Sequence, residues 1–127
     1  MNSSPAIPLP NSARRAPDPA MDDVLRAIRL RFIDCVHGRL MKFEDLKQVF
    51  HTDPAKLTPL SEIGALSHKI AGVAETLGFG DIGQLAGWID GEITRRARAG
   101  EPPIAIWRKI DSPLEDMLEK MEDLLDA

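Results

Sequence analysis

His68 is the residue of this chain whose type and surroundings best suit chemistry. It lies in the stretch LSHKIAGVAETLGFGD, residues 66–81. The positions about one helical turn before and after it carry small residues, namely Gly64, Ala65, Ala71 and Gly72. An exposed imidazole is mostly neutral at pH 7, and a neutral ring nitrogen is a competent nucleophile toward phosphorus. The stretch therefore indicates nucleophilic chemistry at His68.

The apolar pattern around His68 predicts a helix that presents the ring to solvent. At about 100° per residue, five large apolar residues fall within roughly 80° of one another and form one core-facing stripe: Ile63, Leu66, Ile70, Val73 and Leu77. His68 lies roughly 180° from the centre of that stripe. Two glycines inside a helix cost about 1 kcal/mol each relative to alanine. We interpret them as clearance, because small residues let the backbone of another protein approach the ring.

Composition limits the other functions that the chain can have. It has 127 residues, a net charge of −4 and a single cysteine, which favours one domain in a reducing, cytoplasmic setting. No apolar run is long enough to span a membrane, and the charge does not form the basic patch of a nucleic-acid-binding protein. No Cys/His cluster has the spacing of a metal site. We therefore expect no membrane, nucleic-acid or metal binding.

The rest of the chain predicts an all-α fold. Residues 1–20 hold five of the ten prolines and are expected to form a flexible tail, with one helical domain over residues 21–127. A first helix is predicted from Met21 to about residue 51, because apolar residues recur there every three or four positions. They are Leu25, Ile28, Phe32, Val36, Leu40, Phe43, Leu46 and Phe50.

Local signals predict the bounds of three further helices. The second is expected to start with a Thr58 cap and Pro59 and to end before Gly78. The third should run from about Asp81 to the arginines before Gly100. The last is expected to start at an S-P-x-E capping box formed by residues 112–115. The side chains expected to face inward are Ile82, Leu85, Trp88, Ile89 and Ile93 on the third helix. On the last helix they are Met117, Leu118, Met121, Leu124 and Leu125. Short loops then make this an antiparallel four-helix bundle.

The stretch HKIAGVAETLGF resembles the motif of histidine-containing phosphotransfer (HPt) domains. That motif has a histidine followed by an apolar residue at +2, usually a lysine at +3, a glycine at +4 and a later Leu-Gly pair. His68, Ile70, Gly72 and the pair at 77–78 match it, and the resemblance covers roughly residues 22–100. It implies a four-helix bundle whose exposed histidine relays a phosphoryl group between the aspartates of two receiver domains.

The resemblance also implies the partners and the docking surface. The partners would be receiver domains of a hybrid histidine kinase and of a response regulator, with Mg²⁺ held by the receiver, no cofactor on this chain, and this chain a monomer. Because no GxxxxGK[ST] nucleotide loop occurs, we expect a phosphoryl carrier and not an enzyme. The residues expected to dock or clear the partner are Gly64, Ala65, Lys69, Ala71, Gly72 and Glu75.

One position departs from the family pattern. The usual lysine at +3 is Ala71 here, and Lys69 lies roughly 100° around the helix from His68. An alternative function therefore stays open, in which the bundle is an adaptor that docks receiver domains without accepting phosphate.

Overall fold

Four helices make up almost all of residues 19–126, the part of the chain that the computed structural model describes. They are α1 (Pro19–Thr52), α2 (Thr58–Thr76), α3 (Gly80–Arg98) and α4 (Pro103–Asp126). The connections 53–57, 77–79 and 99–102 are short, so that successive helices run antiparallel. The predicted all-α four-helix bundle is confirmed. Most of the predicted tail lies outside the described residues, although Pro19 and Ala20 already belong to α1.

Apolar side chains from all four helices form one core. α1 contributes six buried residues with the predicted spacing: Phe32, Val36, Leu40, Phe43, Leu46 and Phe50. Leu25 and Ile28 continue the same spacing but are 39% and 44% exposed. The reason is length, because α1 has 34 residues and α2 and α3 have 19 each. At 1.5 Å per residue, the first part of α1 extends past the helices that would cover it.

The turns after α2 and α3 are built alike, around one glycine each. Gly78 and Gly100 have φ values of +90° and +77°, in the left-handed region that glycine adopts without strain. After α2, the Phe79 N–H donates to the Ala74 carbonyl and the Gly78 N–H to the Glu75 carbonyl. This is the Schellman pattern, which satisfies carbonyls left free at a helix end. The predicted ends of both helices are therefore confirmed.

The predicted starts of α2 and α4 need correction. Thr58 is already the first helical residue of α2, and its side chain makes no capping bond. α4 begins at Pro103, and Pro113 lies inside it, so the predicted capping box at residues 112–115 is wrong. The apolar spacing explains the longer helix: residues on both sides of Pro113 are buried on one face. Burial of that face outweighs the loss of one backbone hydrogen bond at proline, which costs about 3 kcal/mol.

Two predicted core residues are also on the surface. Trp88 of α3 is 44% exposed and Leu125 of α4 is 40% exposed. Both lie at the margins of faces whose central residues, such as Ile89 and Met121, are fully buried. Within the part of the chain that the structure describes, no helix is both long and apolar enough to cross a membrane.

Candidate functional site

The α2–α3 hairpin positions the candidate site, and small residues let its two helices approach closely. A Cβ atom placed on Gly83 would lie 3.1 Å from the Glu75 backbone nitrogen, and one on Gly87 would lie 3.9 Å from the Cβ of Ala71. The first distance is tighter than most Cβ contacts, so that a larger residue at position 83 would push the two helices apart by a few tenths of an ångström. This close packing brings the polar edges of α2 and α3 within hydrogen-bonding distance of each other.

His68 lies at that edge and is paired with an acid from α3. Its side chain is 77% exposed, as the sequence predicts. Its Nδ1 atom lies 2.9 Å from Oδ2 of Asp90, which is only 27% exposed. The Thr94 hydroxyl donates to the other Asp90 oxygen at 3.4 Å. The carboxylate is therefore held from one side by Thr94 and faces the ring with its second oxygen.

The pairing sets the chemistry of the ring. A carboxylate only accepts hydrogen bonds, so the Nδ1 atom of His68 carries the hydrogen in this contact. In a neutral imidazole the other nitrogen, Nε2, then holds the free lone pair. Because the side chain is largely exposed, that lone pair is open to attack an external electrophile. The same carboxylate stabilises positive charge on the ring when Nε2 forms a bond.

A shallow groove of about 520 Å³ runs from His68 between α2 and α3. Ser61 and Ala65 line its α2 side, and Ile93 and Ala97 line its α3 side. Two cationic side chains, Lys69 and Arg98, also border the groove. The groove therefore carries the positive charges of Lys69 and Arg98 together with the negative charge of Asp90.

A compact charge cluster fixes the end of α3 that carries Arg98. The guanidinium groups of Arg95 and Arg96 each donate to Glu92 at 2.8–2.9 Å. Arg96 also donates to Glu101 in the following turn. Hydrogen bonds from Arg95 and Arg96 lower the pKa of Glu92 below its usual range. Hydrogen bonds to Glu92 and Glu101 raise the pKa of Arg96. Glu92 and Arg96 therefore stay ionised at neutral pH.

The structure surrounds His68 with three of the predicted docking residues. Ala65, Lys69 and Gly72 are exposed, and a Cβ atom on Gly72 would meet nothing within 4 Å. Apart from Lys69, the residues on this approach to the ring are small.

The other three predicted docking residues have different surroundings. Gly64 is buried, and a Cβ atom there would lie 3.5 Å from the Ile93 side chain, so that it serves helix packing. Ala71 is half-buried against the core. Glu75 is exposed but lies two turns beyond His68, against Gly83. Gly64 also lines the groove that contains His68, so that its clearance role stays a prediction.

The buried face of α2 is rotated relative to the predicted stripe. Val73 is 38% exposed and Leu66 is only half-buried, whereas Leu60, Ser67 and Ala74 are buried. His68 therefore lies about 120° from the centre of the buried face and not opposite to it. This rotation places the ring at the flank next to α3, where Asp90 can reach it.

Asp90, Thr94 and Arg98 are not among the site residues predicted from the sequence. An acid and a threonine four residues apart share one helical face, which was a usable signal for the pair on α3. Nothing in the sequence shows, however, that this face meets His68, since the contact joins residues 22 positions apart.

Comparison of the chain with protein-family models, with curated proteins and with solved structures found no match. Within residues 19–126, no three His, Cys, Asp or Glu side chains are grouped in a way that could hold a metal ion. The geometry around His68 is therefore the main structural indication of what this chain does.

Two glycine substitutions are expected to change stability in opposite directions. Gly83→Ala should lower the free energy of unfolding by about 1–3 kcal/mol, because the new Cβ atom meets the Glu75 backbone at 3.1 Å. Gly72→Ala should raise it by about 1 kcal/mol, because the site is open and alanine favours the helix. Urea unfolding of both variants measures the difference. Equal stability of the two would contradict the close approach of α2 and α3.

Proposed function

We propose that this chain is a phosphoryl carrier of a two-component phosphorelay. His68 accepts a phosphoryl group from the aspartate of one receiver domain and donates it to the aspartate of another. The observation that carries this proposal is the exposed His68 ring whose Nδ1 atom is held by Asp90 at 2.9 Å, which leaves Nε2 as the nucleophile. The resemblance of residues 68–78 to the HPt motif supports the same conclusion.

The transfer step needs few groups on this side. Nε2 of His68 attacks the phosphorus of the receiver's aspartyl phosphate, the N–P bond forms, and the P–O bond to the aspartyl carbonyl group breaks. The electron pair leaves with the receiver's carboxylate, and the Nδ1 hydrogen stays shared with Asp90. In the second transfer, the carboxylate of another receiver attacks the same phosphorus and the N–P bond breaks.

Charge on both partners supports this step. Phosphoryl transfer depends mainly on positioning and on neutralising the charge of the transferred group, and the receiver domain supplies Mg²⁺. On this chain Asp90 offsets the positive charge of the phosphorylated ring. Lys69 and Arg98 border the same groove and add positive charge to this surface.

Receiver domains are the proposed docking partners, at the face around Ala65, His68 and Gly72. Such relays operate in the cytoplasm, where the exposed thiol of Cys35 stays reduced.

The direct test is transfer of labelled phosphate from a panel of phosphorylated receiver domains to the intact chain. We expect label that is stable in base and labile in acid, as a phosphohistidine is. If every receiver fails to transfer label under conditions in which a known carrier is labelled, the proposal is wrong.

Asp90→Asn is expected to slow the transfer without preventing it. Carboxylates that fix the tautomer of a metal-ligating histidine contribute about 10–100-fold, and we expect a rate loss in that range. NMR of the His68 nitrogens should also show that hydrogen moves from Nδ1 to Nε2 in part of the population. Asp116→Asn, the same change at an exposed position of α4, is the matched control. An unchanged rate and an unchanged tautomer would remove Asp90 from the mechanism.

Gly72→Gln tests the docking face. The side chain has space in the free protein, since nothing lies within 4 Å of the added Cβ, and glutamine is a better helix former than glycine. The variant should therefore fold at least as well as the parent protein and yet accept phosphate at least tenfold more slowly, because a bulky side chain obstructs the approach of the receiver. Transfer at the parent rate would show that the partner does not approach over Gly72.

The adaptor function has one observation in its favour. Ala71 takes the position of the usual lysine and is half-buried against the core, so that no cation can extend from it toward His68. If the chain is an adaptor, the parent protein and the His68→Gln variant should bind receiver domains with the same affinity. Neither of them should carry label.

A further inference from the structure

The first 13 residues of α1 form an overhang, defined as residues 19–31, in which every side chain is exposed. Large apolar side chains are unusually frequent there: Met21, Val24, Leu25, Ile28 and Leu30 are all between 39% and 57% exposed. At 1.5 Å per residue the overhang is about 20 Å long. Contiguous apolar surface of this kind marks an interaction site more often than a solvated one.

Three of these residues continue the buried stripe of α1. Met21, Leu25 and Ile28 precede Phe32 at steps of four, three and four residues, so that all four lie on one helical face. From Phe32 onward that face is buried inside the bundle. The overhang therefore presents a core-type surface that α2, α3 and α4 do not reach.

We infer that two copies of this chain associate through the overhang, with the two α1 helices antiparallel. In the register that fits the stripe, Leu25 of each copy faces Ile28 of the other. Met21 then lies level with Phe32 of the partner copy. Each bundle covers the stripe only from Phe32 onward, so the two bundles lie at opposite ends of the shared segment. In a parallel pair both bundles would occupy the same space.

The charges of the overhang favour the antiparallel arrangement. Asp22 and Arg29 flank the stripe on the same side, about 90° and 70° from its centre. In an antiparallel helix pair, each flank of the stripe faces the same flank of the partner's stripe. Asp22 of each copy therefore lies beside Arg29 of the other. Arg29 is already positioned in the single chain, with its guanidinium carbon 5.1 Å from the centre of the Phe79 ring. In a parallel pair the opposite flanks of the two stripes face each other, so that Asp22 would not lie beside Arg29 of its partner.

This inference differs from the monomer that the sequence analysis expects, and it is independent of phosphotransfer at His68. The second copy is favoured over another occupant because the overhang is complementary to itself in both apolar spacing and charge.

Analytical ultracentrifugation of the intact chain over a range of concentrations tests the inference. We expect the mass to rise from 14.0 kDa toward twice that value. Leu25→Glu should remain monomeric, whereas Leu30→Glu should behave as the parent protein does. These are the same substitution in the same segment, but Leu30 lies roughly 170° from the centre of the stripe. A monomer at all concentrations up to about 1 mM, or equal effects of the two substitutions, would overturn the inference.

A charge exchange separates the antiparallel pair from other dimers. Asp22→Arg should weaken association at least about tenfold, because it brings like charges together. Adding Arg29→Asp to the same chain should restore the affinity. Circular dichroism checks that α1 is intact in both variants, and the effect should diminish at high salt. If the double variant does not regain the parent's affinity for association, the Asp22–Arg29 pairing is excluded and with it the proposed antiparallel arrangement.

Discussion

His68→Gln is expected to abolish phosphate incorporation while the protein remains folded. The substitution removes the nucleophilic nitrogen from which the proposed transfer proceeds, and no other histidine can replace it. His37 and His51 are on α1, whereas the contacts that orient a ring for transfer belong to the α2–α3 edge. Phosphate labelling of parent and variant by the same phosphorylated receiver measures the effect.

The stability of the same variant distinguishes a lost nucleophile from a damaged fold. The His68 side chain is 77% exposed, and substitutions at such positions usually change the free energy of unfolding by less than about 0.5 kcal/mol. A loss of several kcal/mol would contradict the exposed placement. Label retained on His68→Gln would place the phosphate elsewhere and would reject His68 as the acceptor.

Ile70→Ala is expected to cause a large loss of stability. Ile70 is fully buried in the core, two residues after His68. Removing a buried isoleucine side chain and leaving a cavity costs about 2–5 kcal/mol. Urea unfolding, followed by circular dichroism, measures the change in the free energy of unfolding.

Val73→Ala is the matched control for the orientation of α2. The periodicity of the sequence places Val73 and Ile70 on the same stripe, but the structure exposes 38% of Val73. We therefore expect a change of less than about 1 kcal/mol for Val73→Ala. Equal losses at the two positions would support the stripe that the sequence predicts and would contradict the rotation of α2 toward α3.

The helical architecture could be predicted because its signals are local. Gly78 and Gly100, which have positive φ values, are common helix-ending residues, and the spacing from Phe32 to Phe50 is that of one buried face. The exposure of His68 followed from the same periodicity. Each of these features depends on residues within a few turns of one another.

The remaining features depend on contacts between distant segments. The start of α4 was misplaced because Pro113 is read locally as a helix start, although burial of residues on both sides of it keeps the helix continuous. Leu25 follows the stripe perfectly, but its exposure depends on how far α2 and α3 extend. Asp90 could not be assigned, since its role arises only when α3 packs beside α2.

The proposed chemistry is confined to one helical hairpin whose connection is only three residues long. His68 and Asp90 are 22 positions apart, so bringing them together closes a short loop at a small entropic cost. Contacts between segments that are close in sequence form quickly, because little loop-closure entropy opposes them. The proposed nucleophile and its orienting acid therefore belong to a unit that can assemble before α1 and α4 complete the bundle.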